Sequence, residues 1–161
     1  KRRCNRIKRM GQIKMSEKKI KDIFLEGAIP PEKIAISIAN HKSKTHIGAH
    51  AIFLGQVRSD TIDGKQIKSI EYSTQKKMAN KICHEIKEKI FGKYSISCMH
   101  IYHSIGKVSK GEICFFVFVS GSHRKVVYDT LPKIVDQIKS KVPIFGKEIF
   151  EDESHKWKIN Q

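Results

Sequence analysis

The fold is decided by an apolar run and the polar residues that follow it: Ile113-Cys114-Phe115-Phe116-Val117-Phe118-Val119, then Ser122-His123-Arg124. Seven consecutive apolar residues, mostly aromatic or β-branched, predict a central strand that is covered on both faces. Ser122 is a suitable N-cap for a helix that runs from His123 to about Lys141. Val142-Pro143 ends that helix, because the residue before a proline is pushed away from the helical region.

Patterns on either side of this unit predict the other elements. Strands are expected at 20–29, 48–58, 67–72, 94–103 and 112–120, and further helices from Pro30-Pro31-Glu32 and over 75–91. In the helix over 75–91, Met78, Ile82, Ile86 and Ile90 recur every four residues and predict its core face. Asp63-Gly64 predicts a turn that would join 48–58 and 67–72 in a hairpin with a long tip.

Glycines and one proline modify these elements. Gly106 and Gly111 predict a connecting loop, and Pro132 predicts a bend near Tyr128 within a single helix. Hairpins mixed with helices predict an α+β fold with a mostly antiparallel sheet and flanking helices.

Composition limits the class of protein. A chain of 161 residues suits one domain, no apolar run approaches the ~18 residues of a membrane span, and a net charge of +16 predicts an anionic partner. Nucleic acid, an acidic protein and a phosphorylated small molecule all remain open. Residues 1–14 carry seven Lys or Arg and no acid, and we interpret them as a basic, disordered arm outside a single domain at 15–161. A targeting segment is the alternative for this arm.

The four cysteines, Cys4, Cys83, Cys98 and Cys114, form no Cys-x-x-Cys pair. This pattern predicts a reduced, cytoplasmic protein in which Cys98 and Cys114 are small buried hydrophobes. The spacing of His41, His46 and His50 fits no tight zinc motif, so the sequence predicts no metal site.

Basic residues at the ends of elements are the candidate binding groups. His123 and Arg124 begin a helix, where free N–H groups and the helix dipole favour an anion. Arg58 ends an apolar strand, and Lys139, Lys141 and Lys147 flank a proline, where a lysine in a partly dry pocket could move protons. From the residues alone, ordinary capping and solvated surface positions are the simpler explanation of the same residues.

Several blocks in order resemble the large, catalytic subunit of molybdopterin synthase, over roughly residues 20–158. The matching residues are Gly48-Ala49 with Phe53, Gly55, Val57 and Arg58; Ile70-Glu71-Tyr72 with Met78-Ala79; His103, Gly106 and Gly111-Glu112; Ser122-His123-Arg124; and Lys139, Val142-Pro143-Ile144, Lys147-Glu148 and Trp157.

The resemblance implies an α/β-hammerhead-like fold and a sulfurtransferase of molybdenum cofactor biosynthesis. Such an enzyme moves sulfur from the thiocarboxylated C-terminal Gly-Gly of a small ubiquitin-like subunit to cyclic pyranopterin monophosphate, forming the dithiolene of molybdopterin. It implies a homodimer within a heterotetramer and no metal or organic cofactor. Lys139 falls on the essential lysine, with Lys147 as a second catalytic candidate, and Arg58, His123, Arg124 and Lys139 fall on substrate-binding positions.

Two departures bear on activity. The tryptophan and the second functional lysine of the family's Pro-Ile-Trp-Lys segment are Phe145 and Gly146 here. Lys147 could fill the gap. An inactive paralogue that keeps the partner, and a basic nucleic-acid-binding module, are the alternatives.

Overall fold

The computed structural model describes residues 20–158, so the basic arm at 1–14 lies outside the described residues. The strands are β1 (Phe24–Glu26), β2 (Ala49–Gln56), β3 (Thr61–Ile62), β4 (Lys65–Thr74), β5 (Ile96–Ser109), β6 (Ile113–Gly121), β7 (Ile144–Phe150) and β8 (His155–Trp157). The helices are α1 (Pro31–Ala39), α2 (Lys76–Lys93) and α3 (Arg124–Lys141). No helix in this part of the chain is both long and apolar enough to cross a membrane.

The eight strands form one sheet in the order β2-β6-β5-β4-β7-β8, with β1 beside β5 and β3 beside β4. Every pairing is antiparallel except that of β1 with β5. The predicted α+β class with a mostly antiparallel sheet and flanking helices is therefore confirmed. Strand β6, expected to be central, lies one strand in from the edge, between β2 and β5, and its residues 114–121 are all buried.

Alternation along β6 divides the interior into two layers. Val117 and Val119 point into the larger core with the buried faces of α2 and α3, whereas Phe116 and Phe118 point to the other side, where Ile34 of α1 packs. Burial on both faces explains why this strand reads as a continuous apolar run rather than an alternating one.

Three expectations about elements are wrong in detail. Strand β2 pairs with β6 and not with β4, and the turn at Asp63-Gly64 closes only the short β3–β4 ladder. Gly106 lies inside β5, which continues to Ser109. Gly106 has a φ of +74°, in the left-handed region that favours glycine, and an added Cβ would also displace the carboxylate of Glu26.

The helices also differ slightly from the patterns. The buried residues of α2 are Ala79, Cys83, Ile86 and Ile90, whereas Met78 is 53% exposed. The N-cap of α3 is His123 rather than Ser122, and no side chain bonds to that end. Pro132 lies within α3, which is one helix as expected, and the bend stays a prediction.

Candidate functional site

A cavity of about 120 Å³ opens where the end of α3 meets β4, β5 and β7. Its lining combines polar and apolar side chains: Phe53, Gly55, Gln56, Tyr72, His103, Cys114, Phe115, Ile138, Lys139, Val142, Ile144, Gly146 and Lys158. Lys139 reaches it because α3 packs across the sheet and buries the preceding residue, Ile138, in the core. Lys158 reaches it from the segment that follows β8.

The inner wall of the cavity is a set of neutral polar groups. Tyr72 donates its hydroxyl to Sγ of Cys114 at 3.3 Å, and the Tyr72 ring packs edge-on against His103 at 5.0 Å between centroids. The Nδ1 atom of His103 lies 2.8 Å from the carbonyl oxygen of Ser104. Because the acceptor is a carbonyl, Nδ1 is the protonated nitrogen and donates this hydrogen bond.

Burial keeps these groups uncharged. Removal from water lowers the pKa of His103 to about 4 against the opposing hydrogen bond to Ser104, and Lys139 and Lys158 lower it further. Burial likewise raises the pKa of Cys114 and of Tyr72. At neutral pH the charges of the cavity are therefore the ammonium groups at its mouth, which suits an anionic ligand.

Lys158 was not among the candidates from sequence. Its N–H donates to the carbonyl oxygen of Gly146 at 2.8 Å, which extends the β7–β8 ladder by one residue and places the two residues opposite each other. A Cβ added at Gly146 would lie 3.6 Å from that of Lys158. The resemblance implies a lysine at the position of Gly146, and the residue opposite that position is itself a lysine, Lys158. Only the register of the strands shows this relation.

Lys147 lies away from the cavity. Along β7, Gly146 and Glu148 are buried while Phe145 and Lys147 alternate to the other face. There Nζ of Lys147 forms an ion pair with Glu71 at 2.5 Å. The side chain that was expected to fill the gap at Gly146 is therefore directed elsewhere.

Of the remaining candidates, His123 and Arg124 do not meet Lys139 within one chain. Arg58 is exposed and pairs with Asp60 at 2.8 Å. His123 and Arg124 lie at the beginning of α3, and His123 lines a separate cavity of about 320 Å³ with Tyr94, Ser95 and Asp129. Fifteen residues of helix separate Arg124 from Lys139, a distance of about 22 Å along the axis. One copy of the chain therefore does not bring His123 or Arg124 to Lys139.

Comparisons with known proteins agree with this architecture. The family model described as MoaE protein matches residues 29–141. A molybdopterin synthase catalytic subunit of Pyrococcus abyssi is 32% identical over 149 residues, which cover 92% of this chain and 93% of that protein. The crystal structure of molybdopterin synthase from Staphylococcus aureus superposes with a TM-score of 0.75 at 30% identity, covering 86% of this chain and 96% of that one.

Animal relatives are longer than this chain. The match to the rat molybdopterin synthase catalytic subunit is 32% identical over 118 residues, or 71% of this chain but 56% of the rat protein. The chain thus spans about half the length of that relative. Since the family model covers most of the described residues and the fold agrees, the chain belongs to the MoaE protein family.

Proposed function

We propose that this chain is the catalytic subunit of a molybdopterin synthase. In this proposal it transfers sulfur from the thiocarboxylated C-terminus of a small ubiquitin-like carrier subunit to cyclic pyranopterin monophosphate, and the dithiolene of molybdopterin forms. The observation that carries the proposal is the cavity with Lys139 and Lys158 at its mouth and neutral groups at its wall.

The shape of the cavity fits the carrier. A volume of about 120 Å³ admits the end of an extended chain rather than a folded domain. Two of the lining residues, Gly55 and Gly146, have no side chain that would narrow the cavity. A tail that ends in Gly-Gly has no side chains to clash there, and its anionic terminus would meet the lysines. Family resemblance supplies the identity of this partner, and the geometry supports it.

The charges fit the reaction. Lys139 and Lys158 would hold the negative charge of the thiocarboxylate and stabilise the oxyanion that forms when its carbon is attacked. His103 and Tyr72, uncharged at neutral pH, would position the tail without adding charge. A protein that acts on thiocarboxylates needs a reducing setting, and Cys83, Cys98 and Cys114 are all free thiols, so we place the reaction in the cytoplasm.

A second copy of the chain would complete the substrate site. His123 and Arg124 lie about 22 Å from Lys139 along α3, too far to contact the same small molecule within one chain. In a symmetric dimer, the beginning of α3 from one protomer can face the cavity of the other. We therefore propose that Arg58, His123 and Arg124 bind the phosphate and pterin, with His123 and Arg124 contributed across a dimer interface.

The deciding experiment is a single-turnover assay with the pterin monophosphate, this chain and a thiocarboxylated carrier. Formation of the dithiolene product is expected. A stable complex without product would identify an inactive paralogue. Absence of any complex, together with salt-dependent RNA or DNA binding that survives deletion of residues 1–14, would favour the nucleic-acid-binding alternative.

Substitution of Lys139 tests the assignment of the cavity. Lys139→Ala is expected to lower the single-turnover rate by about 100-fold or more, as does loss of a group that stabilises an oxyanion. Its side chain is exposed, so thermal unfolding and the mass of the carrier complex should not change. A variant that unfolds, or one that retains full turnover, would contradict the catalytic role.

A further inference from the structure

A second cluster of reactive side chains lies on the α1 side of the sheet. The ligand atoms of His41, Cys98 and His100 all lie within 4.8 Å of one another, and Sγ of Cys98 is 3.3 Å from Nε2 of His100. Zinc–nitrogen and zinc–sulfur bonds of 2.0–2.3 Å at tetrahedral angles place two ligand atoms about 3.5 Å apart. The cluster needs only small side-chain movements to reach that spacing.

The orientation of His41 is the second observation. His41 is 5% exposed and follows α1, where its Nδ1 lies 2.7 Å from the carbonyl oxygen of Ser37. Nδ1 must therefore carry the proton, which leaves a lone pair on Nε2, and among residues 20–158 that buried atom has no hydrogen-bond partner. A backbone carbonyl that holds one ring nitrogen while the other faces a cluster of ligands is the usual arrangement of a metal-binding histidine.

Strand register supplies the other two ligands and an approach from solvent. Cys98 and His100 are two residues apart on β5, so both point to the same face. Ser120 of β6 pairs with both Cys98 and His50, and the ring of His50 lies 5.6 Å from that of His41. His50 is exposed on the outermost strand β2, so this side of the cluster borders solvent.

We propose that His41, Cys98 and His100 form a binding site for a divalent cation of the zinc type, with His50 or water as the fourth ligand. Two imidazole nitrogens and one thiolate sulfur bind zinc in preference to cations such as Mg²⁺ and Ca²⁺, which favour oxygen ligands. The ion would tie the end of α1 to β5.

The sequence hides this site. Along the sequence, the neighbours of His41 among the histidines are His46 and His50, and the spacing of these three fits no tight zinc motif. His46 is exposed, and the ligands that accompany His41 follow it by 57 and 59 residues on a strand brought close by the sheet. The site uses none of the residues assigned to sulfur transfer.

Cobalt titration of the full chain tests the proposal. The reduced, chelator-treated protein is expected to bind one equivalent of Co²⁺ with a thiolate-to-metal charge-transfer band, which Zn²⁺ displaces. Cys98→Ser should abolish the band, and His100→Ala should weaken binding at least tenfold. Zn²⁺ should raise the Tm of the unmodified chain and leave that of Cys98→Ser unchanged.

Matched controls separate this site from other thiols and histidines. Cys83→Ala and His46→Ala remove residues outside the cluster and should keep the band and the Tm shift. Circular dichroism without metal establishes that each variant is folded, and Cys98→Ser, a near-isosteric change at a half-buried position, carries the test if His100→Ala does not fold. No band and no Tm shift, or a band that survives Cys98→Ser, would overturn the proposal and leave a cluster that only packs around Phe118.

Discussion

At the scale of single residues, the second lysine at the cavity, besides Lys139, is Lys158 and not Lys147. The resemblance implies a lysine at the position of Gly146, and the neighbouring Lys147 points to the other face of β7. Lys158, opposite Gly146 in the β7–β8 ladder, lines the cavity instead. Positions 146 and 158 lie opposite each other, so a lysine at either one can bring its ammonium group to the same cavity.

Replacement of Lys158 by methionine tests its role in sulfur transfer, and the same replacement of Lys147 is the matched control. Lys158→Met should reduce single-turnover sulfur transfer by about 10- to 100-fold, because it removes one of two cationic groups at the cavity. Lys147→Met breaks only a partly exposed ion pair with Glu71, which contributes little, and should change the rate by less than about threefold.

A second-site rescue distinguishes charge from structure. Gly146→Lys is expected to restore much of the rate lost in Lys158→Met, because the new side chain begins 3.6 Å from the Cβ of residue 158. A Cβ at Gly146 would also lie 3.2 Å from Cγ2 of Ile70, so a small adjustment is needed. In the otherwise unmodified chain, Gly146→Lys should not increase the single-turnover rate. Equal losses in Lys158→Met and Lys147→Met, without rescue, would refute the assignment.

At the scale of elements, α3 carries both ends of the proposed chemistry despite an internal proline. Pro132 has no N–H to donate to the carbonyl of Tyr128, yet α3 is one helix from Arg124 to Lys141. Burial of Val127, Ile134, Val135 and Ile138 against the sheet and α2 offsets the lost hydrogen bond. Packing, rather than helix propensity, therefore determines the length of this helix.

Replacement of Pro132 measures how much stability the proline costs α3. Pro132 is exposed, so Pro132→Ala leaves the core intact, restores one helical hydrogen bond and should raise the free energy of unfolding by about 1–2 kcal/mol. The matched control is Pro31→Ala, because Pro31 occupies the first turn of α1, where proline is favoured. Urea denaturation checks both, and equal effects at the two positions would show that position in the helix does not matter.

At the scale of the whole molecule, the binding groups are divided between places that one chain does not join. Lys139 and Lys158 lie at the cavity, whereas His123 and Arg124 lie at the opposite end of α3. The resemblance implies a homodimer, and only a second protomer can bring the two sets together over a span of about 22 Å.

Hybrid dimers test this arrangement. Lys139→Ala and Arg124→Ala are each expected to be nearly inactive as pure dimers. A hybrid with one protomer of each kind, isolated by two different tags, contains one intact composite site and should recover about half the unmodified rate. Sites built within single chains would each keep one defect, and the hybrid would then stay inactive. Carrier binding, measured on the same preparations, should be equal in all three.

The sequence by itself determined the fold class, the strand β6 that is buried on both faces, the three helices and the position of Lys139 at the end of α3. These follow from local apolar periodicity, capping and proline effects, which act within a few residues of each other. The local patterns failed where pairing is long-range: β2 joins β6 rather than β4, and β7 and β8 were not anticipated as strands.

Only the tertiary structure decided which side chains share a space. Alternation along β7 directs Lys147 outward, the β7–β8 register brings Lys158 to the cavity, and the pairing of β5 with β6 places Cys98 and His100 near His41. Each of these relations joins residues that lie apart along the chain or on opposite faces of a strand. A shift of one residue in register would reverse the faces, and register is fixed by burial of the whole sheet rather than by any local motif.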